Sequence, residues 1–201
     1  MSRRWISERK HDPYHKQAKL QGYRARSAFK LKQMDNKFKF LKPGNKVLDI
    51  GAAPGGWLQI VSERIGDNGT VIGVDLDEIK PLDLENVKTI QGDIRDEETQ
   101  KKISSLVGKR LNVVIADIAP NVSGNWDVDQ YNQLMLARMS MMIAKKLLYR
   151  NGWFITKVFQ GVDYEEFLRE VRASFKKVKI FKPSASRKSS AEIYLVSHGL
   201  K

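Results

Sequence analysis

From residue 46 onward, short apolar and β-branched runs alternate with stretches whose apolar residues recur every three or four positions, the pattern of parallel βαβ units. The runs predict strands over Lys46–Gly51, Thr70–Leu76, Val87–Asp93, Leu111–Asp117, Gly152–Val158, Lys177–Lys182 and Glu192–Ser197. In the helix expected after Asp163, residues Phe167, Leu168, Val171 and Phe175 share one face, and Asp163 with Glu166 reads as an N-cap and its reciprocal partner. The Leu- and Met-rich stretch Asp129–Leu148, with Met135, Met139, Met141 and Met142, reads as a helix packed into the core rather than as a ligand box.

Only the polar segment Pro183–Ala191 separates the last two runs, which are therefore expected to pair antiparallel at one edge of an otherwise parallel sheet. Ahead of the first strand, Asp12–Leu20 and Arg24–Phe40 read as helices, joined near Gly22 and ended before Pro43-Gly44. The fold class that follows is α/β: a Rossmann-like, doubly wound, mixed seven-stranded sheet with N-terminal helices. Residues 1–201 are expected to form a single domain, with 1–45 a basic helical extension and 46–199 the Rossmann-like core.

Composition adds limits. A chain of 201 residues, 41% hydrophobic, can bury one substantial core. No run approaches the ~20 apolar residues of a membrane helix, and MSRRWISERK lacks the apolar core of a signal peptide, so a cytoplasmic protein without membrane contact is expected. The chain has no cysteine, which removes thiolate metal sites and thiol nucleophiles. No metal site is expected.

The net charge of +13 is unevenly placed. Residues 1–46 hold 14 Lys/Arg against 3 Asp/Glu, residues 47–171 hold 14 against 19, and residues 172–201 hold 8 against 1. A basic run is more often a solvated face than a binding site. Two basic ends around an acidic middle, however, suit a polyanion held over a separate cofactor site, which makes nucleic acid the leading partner.

The most specific local signal is VLDIGAAPGGW, from Val47 to Trp57, a buried strand running into a Gly-rich turn and a helix. In open α/β sheets such turns hold ligands. Ala53 stands where the dinucleotide fingerprint has its second glycine, which argues against pyrophosphate binding. Asp49, Asp75, Asp93 and Asp117 all fall at or near strand ends. One such Asp is as often a helix cap as a ligand contact; four together suit a cationic cofactor rich in hydrogen-bond donors. S-adenosylmethionine, with its sulfonium, ammonium, ribose hydroxyls and adenine amine, has that character. Asp75 is placed for the ribose hydroxyls and Asp93 for the adenine amine.

At DPYHKQAKLQGYRARSAFKL, KPGNKVLDIGAAPGGW, QGDIRDE, ADIAPNVSG, TKVFQG and KPSASRKSSAEIYLV the chain resembles the FtsJ/RrmJ (RlmE) family of ribosomal RNA large-subunit 2′-O-methyltransferases over nearly its whole length. The resemblance implies a catalytic tetrad of Lys30, Asp117, Lys157 and Glu192, with Lys157 as proton acceptor, and a cofactor site at Gly55, Trp57, Asp75, Asp93 and Asp117. Trp57 has a plainer reading as a packing residue at the start of its helix. The implied substrate is a uridine in the peptidyl-transferase region of 23S rRNA. RNA would cross the N-terminal segment and the region Arg172 to Lys188, including Arg24, Arg26 and Arg187.

Such a tetrad suits in-line methyl transfer, which needs nucleophile, methyl and sulfur in a row and help in removing the hydroxyl proton. Residue identity alone does not decide whether the surrounding charges leave Lys157 free to accept that proton. Alternatives are a tRNA 2′-O-methyltransferase and a nonenzymatic RNA-binding protein; the second would explain the basic ends but not four tetrad residues. Methylation at pyrimidine carbon 5 lacks its cysteine, and Asp117-Ile118-Ala119-Pro120 lacks the aromatic with which amine methyltransferases stack a base. A monomer is expected.

Overall fold

The computed structural model describes residues 12–121, 123–187 and 190–201. Its first helix, α1 (Pro13–Leu20), is capped by Asp12, whose carboxylate accepts from Tyr14 N and His15 N, with Pro13 at the first helical position where a missing N–H costs nothing. The second, α2 (Ala28–Phe38), starts four residues after the predicted Arg24. Arg24 is held elsewhere: its N–H donates to Gln59 Oε1 at 2.9 Å, and its guanidinium donates to the carbonyls of Pro54, Lys80 and Pro81.

The strands are β1 (Lys46–Ile50), β2 (Thr70–Asp75), β3 (Val87–Gln91), β4 (Leu111–Ala116), β5 (Leu148–Phe159), β6 (Phe175–Phe181) and β7 (Glu192–Leu200). Helices α3 (Gly56–Ile65), α4 (Glu97–Val107), α5 (Trp126–Leu147) and α6 (Tyr164–Ser174) connect them. The sheet order is β3-β2-β1-β4-β5-β7-β6. Strands β1 to β5 pair in parallel, and β7 lies between β5 and β6, antiparallel to both. The mixed Rossmann-like sheet is thus as predicted, with the reversed strand one place in from the edge.

Both sheet faces are covered, which is why the parallel strands read as continuous apolar runs. Leu48, Ile50, Val114, Phe154 and Val158 pack under α4, α5 and α6 on one face. Val47, Val113, Ile115, Ile155 and Tyr194 pack with α2 and α3 on the other. The edge strand β6 leaves Lys176, Lys177 and Lys179 exposed, and lysines on an edge discourage pairing with another chain.

Three local expectations need correction. Asp163 precedes α6 with no side-chain cap, because its backbone (φ −90°, ψ 4°) is not extended as a capping residue requires; Glu166 turns instead toward Arg138, 3.7 Å away. Phe175 belongs to β6, not to the helix, though it is buried. Of the methionines, Met141 is buried, Met142 is 63% exposed, and Met135 and Met139 line a cavity.

The two basic ends meet in space. Arg26 donates to Asp12 and to the carbonyl of Ala185, Gln33 Oε1 accepts from Ala185 N at 3.0 Å, and the Lys37 ammonium lies 4.6 Å from the Phe181 ring centroid. Arg24 and Arg26, assigned to the RNA surface by the sequence, also hold the N-terminal helices on the core. The exposed lysines of this surface are Lys16, Lys19, Lys37 and Lys39 beside those of β6. Residues 1–11 and Lys188, also assigned to the RNA surface by the sequence, lie outside the described residues.

Candidate active site

The strand order reverses direction at β1 and β4, and the crevice beyond their carboxyl ends is where open α/β sheets take ligands. Here it is a cavity of about 560 Å³. Asp75, Asp77, Asp93 and Asp117, with Arg95 beside Asp93, supply its charged wall, and Ile94, Ile118, Met135, Leu136 and Met139 an apolar one.

Each strand-end Asp has a distinct task. Asp75 Oδ2 accepts from Ala53 N at 2.8 Å and Oδ1 from Asp77 N at 2.9 Å, so it ties the Gly-rich turn to the loop after β2. Asp93 is gripped by the Arg95 guanidinium, 2.5 Å from Nη2, and the hydrogen bonds from Arg95 hold its carboxyl below the usual range. Asp49 is fully buried, and among the described residues no donor reaches either oxygen. Burial, then the charges of Asp117 and Asp75, push its carboxyl well above the usual range.

That orphaned carboxyl has a measurable consequence. A folded-state pKa raised above the unfolded value means that stability is lost as pH rises from the unfolded pKa, near 3.9, through the folded one. Asp49→Asn removes the titration. The cofactor-free variant is expected to match the parent at about pH 3.5 and to gain relative stability above it, by at most about 1.36 kcal/mol per pH unit. Urea melts across pH would show this; a difference that does not change with pH would mean that Asp49 is not strained.

The second half of the site lies beside the cavity. Asp117 follows β4 directly, its N–H donating to Ile50 O at 3.0 Å. Thr156 of β5 pairs with Ala116 of β4, so the next residue, Lys157, stands beside Asp117. Lys157 Nζ donates to the Asp117 carbonyl at 2.7 Å and lies 3.1 Å from Asp117 Oδ1. Because β7 runs antiparallel, its first residue reaches the rim where the parallel strands end. That residue, Glu192, takes a hydrogen bond of 2.5 Å from Lys30 Nζ on α2 and one of 3.2 Å from Ser186 Oγ.

The two ammonium–carboxylate pairs are joined by Tyr194, which sequence reasoning did not single out. Its buried hydroxyl is 2.8 Å from Asp117 Oδ1 and 3.3 Å from Glu192 Oε1, and donates to one carboxylate at a time. Burial and then the two carboxylate charges raise its pKa well above the usual value, so it remains a phenol. Burial works to raise Asp117 as well, but the charges of Lys157 and Lys30 and the hydrogen bonds from Tyr194 and Lys157 outweigh it and hold Asp117 below its ordinary value. The signal for Tyr194 was present: it stands two residues after Glu192, hence on the same sheet face, and opposite Lys157 in the ladder.

The family model for FtsJ-like methyltransferases matches residues 23–200. The chain belongs to this family. A relative from Methanothrix thermoacetophila, named "Ribosomal RNA large subunit methyltransferase E", is 50% identical over 189 residues, covering 94% of this chain and 72% of the relative. A crystal structure from Plasmodium falciparum, provisionally named a ribosomal RNA methyltransferase, superposes with a TM-score of 0.78 at 30% identity over 89% of this chain and 98% of its own. A provisionally named methyltransferase of Streptococcus mutans, crystallised with SAH, shares the fold at 14% identity and a TM-score of 0.54, over 84% of this chain and 97% of its own.

Within this FtsJ-like frame, Lys30, Asp117, Lys157 and Glu192 come together, and Asp75, Asp93 and Asp117 line the cavity. Gly55 and Trp57 are not among the lining residues. The Trp57 indole is 3% exposed, donates to Ser27 O at 2.8 Å and lies 6.0 Å from the Tyr194 ring, which makes it the packing residue of the plainer reading. Met135 is the reverse case, an exposed cavity residue that looked like core, whereas Met139 both lines the cavity and packs against the core.

Proposed function

We propose that this protein transfers a methyl group from S-adenosylmethionine to a ribose 2′-hydroxyl of large-subunit ribosomal RNA, at a uridine. The observation that carries the proposal is the assembly of two lysines and two carboxylates from α2, β5, β7 and the end of β4 on the rim of an acidic cavity. The cavity suits the cofactor: its four carboxylates, of which Asp93 is paired with Arg95 and Asp117 with Lys157, suit a cation with hydroxyl and amine donors, and a wall of Ile94, Ile118 and Met135 matches a flat adenine. Asp75, Asp93 and Asp117 are the residues assigned to hold it. When bound, the cofactor supplies an electrophilic methyl group on a sulfonium.

The chain's own residues then have the following parts. Lys157 first releases its own proton to solvent, and the neutral Nζ then accepts the proton of the attacking hydroxyl, a general-base role. Asp117, through its carboxylate and its carbonyl, fixes where that nitrogen points. Glu192 holds Lys30, and Tyr194 sets the spacing between the two pairs. Burial of Lys157, Glu192 and Tyr194 limits the water that could compete as nucleophile. The exposed lysines of α1, α2 and β6 form the surface on which a phosphate backbone would lie.

The test is transfer of a labelled methyl group to large-subunit rRNA, followed by alkaline hydrolysis. A 2′-O-methyl group blocks cleavage at its own phosphodiester, so label is expected in an alkali-resistant dinucleotide beginning with uridine. Label released as a mononucleotide would move the reaction to a base. Label accepted by tRNA and refused by rRNA would move the substrate.

A further inference from the structure

We infer that Trp126 and Phe159 form a stacking platform for an unpaired nucleobase of the RNA substrate, next to the reacting ribose. The inference rests on the proposed function for the identity of the substrate class. The Asp117–Pro120 turn carries no aromatic residue, so base stacking looked absent from the sequence. The structure supplies one further along the same loop.

Trp126 opens α5 and lies against Phe159 at the end of β5, with ring centroids 5.8 Å apart and planes 24° from parallel. One side of the indole is covered by that stack, yet the residue is still 48% exposed. An indole with an open face in water is unusual for the most area-rich apolar side chain, and a π surface that meets water is what a base can cover.

The location is the second point. Phe159 stands two residues past Lys157 on one strand, and so on the same sheet face about 7 Å further along. It is also directly opposite Glu192 in the antiparallel ladder. The platform thus adjoins the tetrad, within the span of one nucleotide from the hydroxyl that Lys157 would serve.

The third point is that the platform is built to hold its place. Asn125 caps α5 by accepting from Asp127 N and Val128 N. The buried Asp129 accepts from Ser123 N at 2.7 Å and Gly124 N at 3.3 Å, bonds that lower its pKa and pin the loop leading to Trp126. Gln133 of the same helix donates to the Lys157 carbonyl at 3.0 Å, so α5 is fastened to β5 beside the platform. A rigid aromatic surface loses little entropy when a base settles on it.

The probes are a short oligouridylate and an abasic ribose–phosphate oligomer of the same length and charge, titrated at low salt. The parent protein is expected to prefer the base-bearing oligomer. Trp126→Ala is expected to weaken oligouridylate binding about 5- to 150-fold, the range for loss of one stacked base, and to leave the abasic oligomer unaffected. Trp126→Phe, which keeps a π face, should retain most of the preference. Equal losses on both oligomers, no loss on either, or no base preference in the parent would each overturn the platform. Thermal melting and S-adenosylmethionine titration of the variants confirm that fold and cavity are intact. A parent that methylates rRNA while Trp126→Ala binds and reacts as well as it does refutes the platform alone; a parent that methylates no RNA refutes the proposed function.

Discussion

Replacing Lys157 by alanine is expected to lower kcat and kcat/KM together by about 10²–10⁴-fold, or about 3 to 5 kcal/mol of barrier, with KM for RNA near that of the parent. The expectation follows from where the amine sits: 5% exposed, 2.7 Å from the Asp117 carbonyl, at the meeting of cavity and rim. An interaction made only as the hydroxyl proton leaves acts on the transition state and not on substrate binding. Lys157→Arg should not restore activity, because a guanidinium keeps its proton in proteins. Single-turnover transfer at saturating cofactor compares the three proteins. Near-parent activity in the Arg variant would reduce Lys157 to a source of positive charge.

The second large effect is expected at Gly51, where the cavity is closed by backbone. Its φ is +81°, and a Cβ there would stand 2.6 Å from Ile118 Cα and 2.7 Å from Ile118 N. Those are main-chain atoms next to Asp117, so nothing can rotate aside. Gly51→Ala should cost about 1–2 kcal/mol for the left-handed backbone and about 1–3 kcal/mol for overpacking, roughly 2–5 kcal/mol together. For a chain of this size that is a fall in Tm on the order of 4–20 °C. Gly22→Ala is the control, since Gly22 also has a positive φ (+73°) but nothing within 4 Å of the added carbon. Equal shifts in the two variants would show that the approach of Ile118 is unimportant. Cofactor affinity should fall in Gly51→Ala alone, because relieving the contact moves the loop that carries Asp117.

The strand runs were legible because a strand covered on both faces is apolar throughout, and a Gly-rich turn after the first run marks a ligand crevice whatever the rest of the chain does. Where the sequence told less, a distant partner gave a residue a further task. Arg24 and Arg26 look like two more cations on a basic segment, but Pro54, Lys80, Pro81, Asp12 and Ala185 take their hydrogen bonds. Met135 and Met139 repeat with the spacing of a core helix, and the helical period does not reveal that one turn of the face overhangs a cavity.

The sequence by itself determined the α/β class, the seven strands, the Gly-rich turn and, through its family motifs, the four residues that the fold gathers into two ion pairs, because periodicity and short motifs are local properties. Only the tertiary structure decided that β7 lies between β5 and β6, that Tyr194 joins the two charge pairs, that Asp49 finds no donor among the described residues and that Trp126 stacks on Phe159. Tyr194 and Asp117 stand 77 positions apart, and Trp126 and Phe159 belong to different elements; partners that distant are set by strand order and helix packing, not by a residue's neighbours in the chain.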